Sequence, residues 1–486
     1  MPRNVARGSI LGIAGQGWQL FTALFLYAFL ARKFGVAVFG SWTVVLSVLA
    51  WFEIFVTAGV VKVTTKAISE SPPEKRKLAV AAYTAQVTAA LVAFVALVLL
   101  APLLARMLGN PALTPLLRIS ALDIPLFGLL LVASSIVLGV ERFERQALAW
   151  IVYATAKAGL IALLVASGFW VTGALVGNAL SSLVGFSAMF IPTRGERPSR
   201  AETIGLARWM FVAAVPFLSL ALIEGLGQSV DLWIVSAMVA SKVLIGFYAS
   251  ATILAEIPVF LFLGLNRVIF PSVARARSDG EHELAAHYTK QAVRLAIIVT
   301  VMGVAFIAAM GRQVIVLLYG ATFVGAYVPV VLLMAAGMGR TIRATCTEVL
   351  MAESRRREAL TLLVVTVLLE LILVVVVTPR FGIDGAAAAT AFSALIAAVW
   401  GGFVLRASVG ARPLATLVRC VVSGGVVAAG LAVAMPAPDT STGILLAATV
   451  GLLALGAVLY VGGLWLLGEF GADDIESVRI ALGRRG

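Results

Sequence analysis

The chain has 486 residues and a mass of 50.9 kDa; 61% of the residues are hydrophobic and the mean hydropathy is +1.04. Soluble domains sit at about 45–50% apolar, so the composition excludes a soluble protein and leaves a polytopic membrane protein with apolar sequence for about 14 spans of about 20 residues. The formal charge of +13 and the pI near 10.2 would suggest nucleic acid in a soluble chain, but in a membrane protein they are first a topology signal. Cys346 and Cys420 lie in apolar stretches and His282 and His287 in a polar loop, which gives neither a disulfide framework nor a metal site.

The basic opening, Met1 to Arg7, runs into an apolar stretch that continues to Leu30 with no small-residue cleavage site, so it reads as an uncut first span. Apolar runs predict helices near 8–30, 39–61, 78–104, 116–139, 146–166 and 170–191. The polar stretch Pro192 to Arg208, with its prolines, glycine and charges, reads as a linker. Six more runs follow near 209–238, 243–270, 293–317, 325–348, 359–378 and 382–405, and a last pair near 414–435 and 442–468. The expected organisation is an all-α membrane protein: a six-helix lobe over 1–191, a cytoplasmic linker over 192–208, a second six-helix lobe over 209–406, and two further helices with a cytoplasmic tail over 407–486.

The basic residues test this count. With the N-terminus inside, the inner segments carry 27 lysines and arginines and the outer segments 7, namely Arg32, Lys33, Arg106, Arg118, Lys242, Arg312 and Arg380. One missed span would invert every later loop, and the bias holds in both halves. The positive charge is therefore orientation signal, and no nucleic-acid partner is expected.

The sequence also repeats. At an offset of 212, Glu144-Arg-Gln-Ala-Leu148 faces Arg356-Arg-Glu-Ala-Leu360, and the segment opening at Thr172 faces the one opening at Asp384, with Gly173, Ala174, Ala179 and Ser181 recurring identically. At an offset of 206, Ala37-Val-Phe-Gly40 resembles Val243-Leu-Ile-Gly246. Spans 1 to 6 thus repeat as 7 to 12. An even number of helices makes the repeat parallel, with the site expected near the midplane where the two pseudo-symmetric bundles meet. Gly173 and Gly385 suit close helix packing, since lipid offers no hydrophobic drive and small faces let backbones approach.

Several stretches resemble a known family. Leu30-Ala-Arg-Lys-Phe-Gly35-Val-Ala-Val-Phe-Gly40-Ser-Trp42, Phe52-Glu-Ile-Phe-Val-Thr-Ala-Gly59, Asp231-Leu-Trp-Ile-Val235, Gly246-Phe-Tyr-Ala-Ser-Ala251 and Phe270-Pro-Ser-Val-Ala274 are similar to the Wzx-type polysaccharide and O-antigen flippases of the multidrug/oligosaccharidyl-lipid/polysaccharide superfamily. The resemblance spans nearly the whole chain and implies movement of undecaprenyl-diphosphate-linked glycan units from the cytoplasmic to the outer leaflet of the bacterial inner membrane. It further implies coupling to protons or sodium ions, contact with membrane lipid, and partnership with the glycan polymerase and chain-length proteins of a lipopolysaccharide-type pathway. Drug-extruding relatives usually stop at twelve helices, and peptidoglycan-precursor flippases carry a more arginine-rich first span than this one, so both departures favour the oligosaccharide branch.

A charge near the bilayer centre costs at least about 2.5–3.5 kcal/mol, so each intramembrane charge faces a cavity or a partner. Lys157, about 16 Å along span 5 from Gln146, is either a point-charge partner for a diphosphate or a structural partner of Asp123. Arg267 and Arg340 lie towards the cytoplasmic ends of spans 8 and 10, where they either snorkel or meet cargo. Glu53, Asp123, Glu224, Asp231 and Glu256 are the candidate coupling acids, or else they pin helices by salt bridges. Asp231 is the leading coupling candidate, because it is expected mid-span and matches the family's acidic position in span 7. Gln16, Gln19 and Asn178 either line the cavity and bond sugar hydroxyls or bond helix to helix.

A drug antiporter of the same superfamily is the main alternative, and a membrane-embedded glycan polymerase or ligase a remote one. Such enzymes need a large outer loop with catalytic groups, and here the outer side offers little beyond Arg32, Lys33, Asp384 and Asp439, so no catalytic residue is assigned. The phosphate-binding loop Gly-x-x-x-x-Gly-Lys-Ser/Thr does not occur, and no cofactor is expected. Reporter fusions after Arg32, Gly109 and Asp439 should read as external; an internal reading at any of them removes the fourteen-span topology.

Overall fold

Backbone amides in hydrocarbon have no water to bond, so a chain this apolar satisfies them within helices. A computed structural model describes residues 3–193, 195–196, 198–257, 281–353, 355–406, 412–437 and 440–470, and no strand occurs among them. In chain order the helices are α1 (Arg3–Thr57), α2 (Val60–Glu70), α3 (Lys75–Met107), α4 (Thr114–Ser120), α5 (Asp123–Gly139), α6 (Phe143–Leu164), α7 (Trp170–Met189), α8 (Arg200–Met238), α9 (Lys242–Ala255), α10 (His282–Tyr319), α11 (Tyr327–Ala352), α12 (Arg356–Val404), α13 (Arg412–Ala434) and α14 (Thr442–Leu466). Two units divide the chain, Met1–Ala249 and Ser250–Gly486.

Among the described residues, ten helical stretches are long and apolar enough to cross a membrane. Three of them, Gly15–Glu70, Phe143–Met189 and Arg356–Val404, hold 56, 47 and 49 residues. Each would be about 70 Å or longer if straight, against about 30 Å of hydrocarbon. Each instead folds back at a residue of positive φ: Gly35 at 70°, Gly168 at 93° with Trp170 at 47°, and Gly382 at 61°. The folding back is visible in contacts between residues far apart in sequence. The rings of Tyr27 and Trp42 lie 5.8 Å apart, a Cβ added to Gly177 would sit 3.0 Å from Ile161 Cα, and one added to Gly401 would sit 3.4 Å from Leu362 Cδ2. These stretches are helical hairpins that pair expected spans 1 with 2, 5 with 6, and 11 with 12. Expected span 8 is described only through α9, since residues 258–280 lie outside the described residues.

The duplication read from the sequence reappears in backbone geometry. At the offset of 212, Trp170 (φ 47°, ψ −135°) corresponds to Gly382 (φ 61°, ψ −144°). A Cβ on Gly173 would lie 2.8 Å from Phe169 Cβ, and one on Gly385 would collide with Phe381 Cβ in the same way. Ala174 and Ala386, and Ser181 and Ser393, are buried alike. The first unit thus holds a tryptophan where the second has glycine, in a conformation that costs an L-residue about 1–3 kcal/mol. Its indole stacks on Phe34 with ring centroids 6.4 Å apart, beside the Gly35 turn.

Packing inverts the pattern of a soluble protein. Helix α3 buries Ala79, Ala81, Ala82, Ala85, Ala90 and Ala93 while Leu91, Val92, Leu99 and Leu103 stay exposed. Small faces meet inside and large apolar side chains face outward, as expected where lipid is as apolar as leucine. In the first unit, α2 leaves α1 at Gly59, where a Cβ would lie 2.6 Å from Ala214 Cβ of α8. Helix α8 starts at Arg200, before the expected 209, because Ser199 and Glu202 form a capping box: Glu202 N donates to Ser199 Oγ at 3.2 Å and Ser199 N donates to Glu202 Oε2 at 2.7 Å. The connection that precedes it is tied to α3 by Arg76, which donates to the Gly195 carbonyl, and by Lys77, which lies 3.7 Å from Glu196.

In the second unit the last two helices pack on α10. Glu469, just beyond α14, accepts from Arg294 Nε at 2.8 Å, Arg419 at 2.8 Å and Thr416 Oγ1 at 2.7 Å. Burial alone would raise the Glu469 pKa, but these donors outweigh it and hold the carboxyl below the usual range. Tyr460 of α14 reaches the Ile298 carbonyl at 3.1 Å, and both Cys346 and Cys420 are buried and unpaired.

The closest crossing in the first unit joins α1 and α9, where a Cβ on Gly40 would lie 2.6 Å from Gly246 Cα and one on Gly246 would lie 2.7 Å from the Val36 carbonyl carbon. Gly246→Ala should therefore destabilise the protein by about 1–3 kcal/mol. Gly159→Ala, with nothing within 4 Å, should stabilise it by about 0.5–1 kcal/mol. Thermal unfolding in detergent checks this; an unchanged midpoint for Gly246→Ala would contradict the close crossing.

Candidate functional site

Helix α5 begins at Asp123, in the middle of the apolar stretch Pro111–Gly139, and the residue is 2% exposed. A buried carboxylate needs donors, and α7 supplies two from one face, since residues four apart on a helix are neighbours. Ser182 Oγ donates to Asp123 Oδ1 at 2.6 Å, and the Asn178 amide donates to Oδ2. Glu53, from the second arm of the α1 hairpin, comes within hydrogen-bonding reach of Asp123. Its Oε1 is buried without a hydrogen-bond partner. Lys157 of α6 interacts electrostatically with both acids, and its Nζ lies 5.7 Å from the centroid of the Tyr153 ring, one turn earlier on the same helix.

Four helices thus converge on two carboxyl groups and one ammonium. With both acids ionised the cluster carries one net negative charge, and one bound proton or monovalent cation neutralises it. Charges this close interact strongly where water is sparse, so the protonation or cation occupancy of one group is linked to the others. Lys157 and Asp123 interact electrostatically without an ion pair within 4 Å, and the Asn178 amide bonds helix to helix through Asp123.

Asp231 is buried and lies two turns from the C-terminal end of α8, nearer that end than the expected mid-span position. It accepts from Tyr248 Oη at 2.9 Å and from the Leu232 amide at 2.7 Å. Glu224 is half-buried near the middle of α8. Gln16 and Gln19 are half-buried on α1, where neighbouring Trp18 donates its indole N–H to Thr155 Oγ1 of α6 at 2.9 Å. In the second unit, Glu256 is half-buried beyond α9 and Arg340 half-buried on α11, while Arg267 lies outside the described residues. No group of three or more His, Cys, Asp or Glu side chains that could hold a metal occurs among the described residues.

Sequence reasoning missed Tyr153 and Ser182. Tyr153 and Ser182 carry a signal in hindsight, because each lies four residues from a residue already singled out, Lys157 and Asn178. Arg343 is buried on α11 three residues after Arg340.

The fold is similar to the structure of the lipid II flippase MurJ in an inward closed conformation, with a TM-score of 0.73 at 14% identity over 94% of this chain and 99% of that one. It is also similar to an inward-facing multidrug resistance MATE family transporter of the MOP superfamily, with a TM-score of 0.67 at 15% identity over 84% of this chain and 98% of that one. A MOP superfamily transporter from Pyrococcus furiosus gives 0.54 at 16% identity, over 84% and 96%. No curated protein matches the sequence. The family described as "Polysaccharide biosynthesis protein" matches residues 29–328, more than half of the chain and all four charged or amide groups of the cluster. The chain belongs to this polysaccharide biosynthesis family and has the fold of the MOP superfamily transporters.

Proposed function

We propose that the protein is a flippase that carries undecaprenyl-diphosphate-linked oligosaccharide units from the cytoplasmic to the outer leaflet of the bacterial inner membrane, by alternating access and driven by a proton or sodium gradient. Both termini and the connection before α8 are cytoplasmic in this reading. The family match over residues 29–328 is the observation that carries it. The likeness to a lipid II flippase along 94% of the chain supports a lipid-linked cargo.

The Glu53, Asp123 and Lys157 cluster supports a specific coupling scheme. In the ion-free form Lys157 is held by two carboxylates. Binding of one proton or sodium ion neutralises one of them and loosens that hold, which leaves the ammonium available to the diphosphate of the cargo. Arg340 and Arg343 in the second unit are further candidate cations for the cargo. Asp231, already engaged by Tyr248 and the Leu232 amide, serves in this scheme as an anchor. The MATE-like fold supports a drug antiporter as the second reading.

Cells lacking the protein should accumulate lipid-linked repeat units on the cytoplasmic leaflet. Lys157→Gln should fail to restore flipping and Lys157→Arg should restore part of it, because charge survives while geometry changes. An unchanged glycan accompanied only by drug sensitivity would establish the antiporter instead.

A further inference from the structure

The first unit contains a cavity of about 280 Å³ that is not part of the charged cluster. Its size is close to the lower end of the about 300–1,000 Å³ seen for small-ligand pockets. It lies where α3 passes to α4 and α8 to α9, and the start of the second arm of the α1 hairpin closes it. Helix α3 has 33 residues, so about 50 Å of helix separates this end from the one where Arg76 meets Gly195. In the proposed orientation the cavity opens on the outer side.

Gly109 shapes the cavity. Its φ is +70°, and a Cβ there would lie 3.1 Å from the Ser236 carbonyl oxygen and 3.3 Å from that of Ala237, so the two turns approach this closely only with glycine at that position. The polar lining comprises Ser41, Asn110, Ser236 and Lys242, with Val44 and Leu113 on the apolar wall, and none of the lining residues is acidic. Ser41 and Ser236 spend their hydroxyl protons on the Ala37 and Leu108 carbonyls, at 3.1 and 2.9 Å, so their oxygens are left to accept. Among the described residues the Asn110 amide and the Lys242 ammonium have no side-chain partner, which leaves donors of both kinds available.

This donor set fits a hydroxylated ring that bears one negative charge. The two serine oxygens and the amide match ring hydroxyls, the apolar wall matches the C–H face of a sugar, and the single ammonium matches a single carboxylate. A phosphate dianion would leave one charge uncompensated against a half-apolar wall. We propose that the cavity is a subsite for an acidic sugar ring of the uronate type, engaged by the glycan as it leaves on the outer side. The inference rests on the flippase reading for the origin of its ligand.

Calorimetric titration of the full chain in nanodiscs of neutral lipid tests it, with D-glucuronate, D-glucose and inorganic phosphate as probes. Glucuronate should bind saturably and more tightly than the other two. Lys242→Gln should weaken it about tenfold or more, the usual worth of a hydrogen bond to a charged group. Lys242→Arg should keep most of the affinity, and Asn110→Ala should weaken glucuronate and glucose alike. Tighter binding of phosphate would indicate a lipid headgroup site and overturn the sugar assignment. Equal affinity for glucose and glucuronate, indifference to Lys242→Gln, or no saturable binding would overturn it as well. The titration reads binding and not transport, so its failure removes the subsite alone, whereas normal leaflet distribution in cells lacking the protein removes the flippase reading alone.

Discussion

Ionised groups in hydrocarbon must be compensated, and this constraint organises the first unit. Each uncompensated charge costs at least about 2.5–3.5 kcal/mol at the membrane centre. Two acids and a lysine in the middle of apolar helices therefore have to meet, and their meeting fixes where α5, α6, α7 and the second arm of α1 stand relative to one another. Asp123 satisfies its oxygens through Ser182 and Asn178, which leaves Glu53 with an unpartnered buried oxygen. In the proposed scheme this shortage of compensation is what one added cation relieves.

The rest of the architecture follows from a second property of lipid, its lack of preference for one apolar side chain over another. Close approach then depends on small residues, and alanine and glycine stripes on α3, α7 and α12 provide it, with leucine and valine left to face outward. Polar fastening appears at helix ends instead. The Ser199 and Glu202 box starts α8, and Glu469 clamps α13 and α14 to α10 through Arg294, Arg419 and Thr416. Each unit is thereby fastened internally at its helix ends.

Much of this was legible in the residues. The apolar runs located the helices because hydropathy in a membrane protein is nearly the whole secondary-structure signal, and the repeat at an offset of 212 was readable in the small residues after Gly173 and Gly385. The tight hairpins were not legible as such, because a tryptophan in a conformation suited to glycine carries no sequence mark. The start of α8 was hidden in a polar stretch whose Ser199 and Glu202 spacing is a capping signature. Lys157 and Asp123 were legible as intramembrane charges, with a mutual pairing as one of two alternatives for Lys157. The addition of Glu53 was not, because contact between spans two and four depends on helix rotation, which an evenly apolar helix does not reveal.

The central claim is that Glu53, Asp123 and Lys157 couple cargo movement to one cation. Flipping of a lipid-linked oligosaccharide in reconstituted vesicles, with and without an imposed proton or sodium gradient, tests it most directly when the native protein is compared with Asp123→Asn. The native protein should respond to one of the two gradients, and Asp123→Asn should flip at the same rate with and without it. A variant that keeps the full gradient response, or a native protein indifferent to both gradients, would contradict the account.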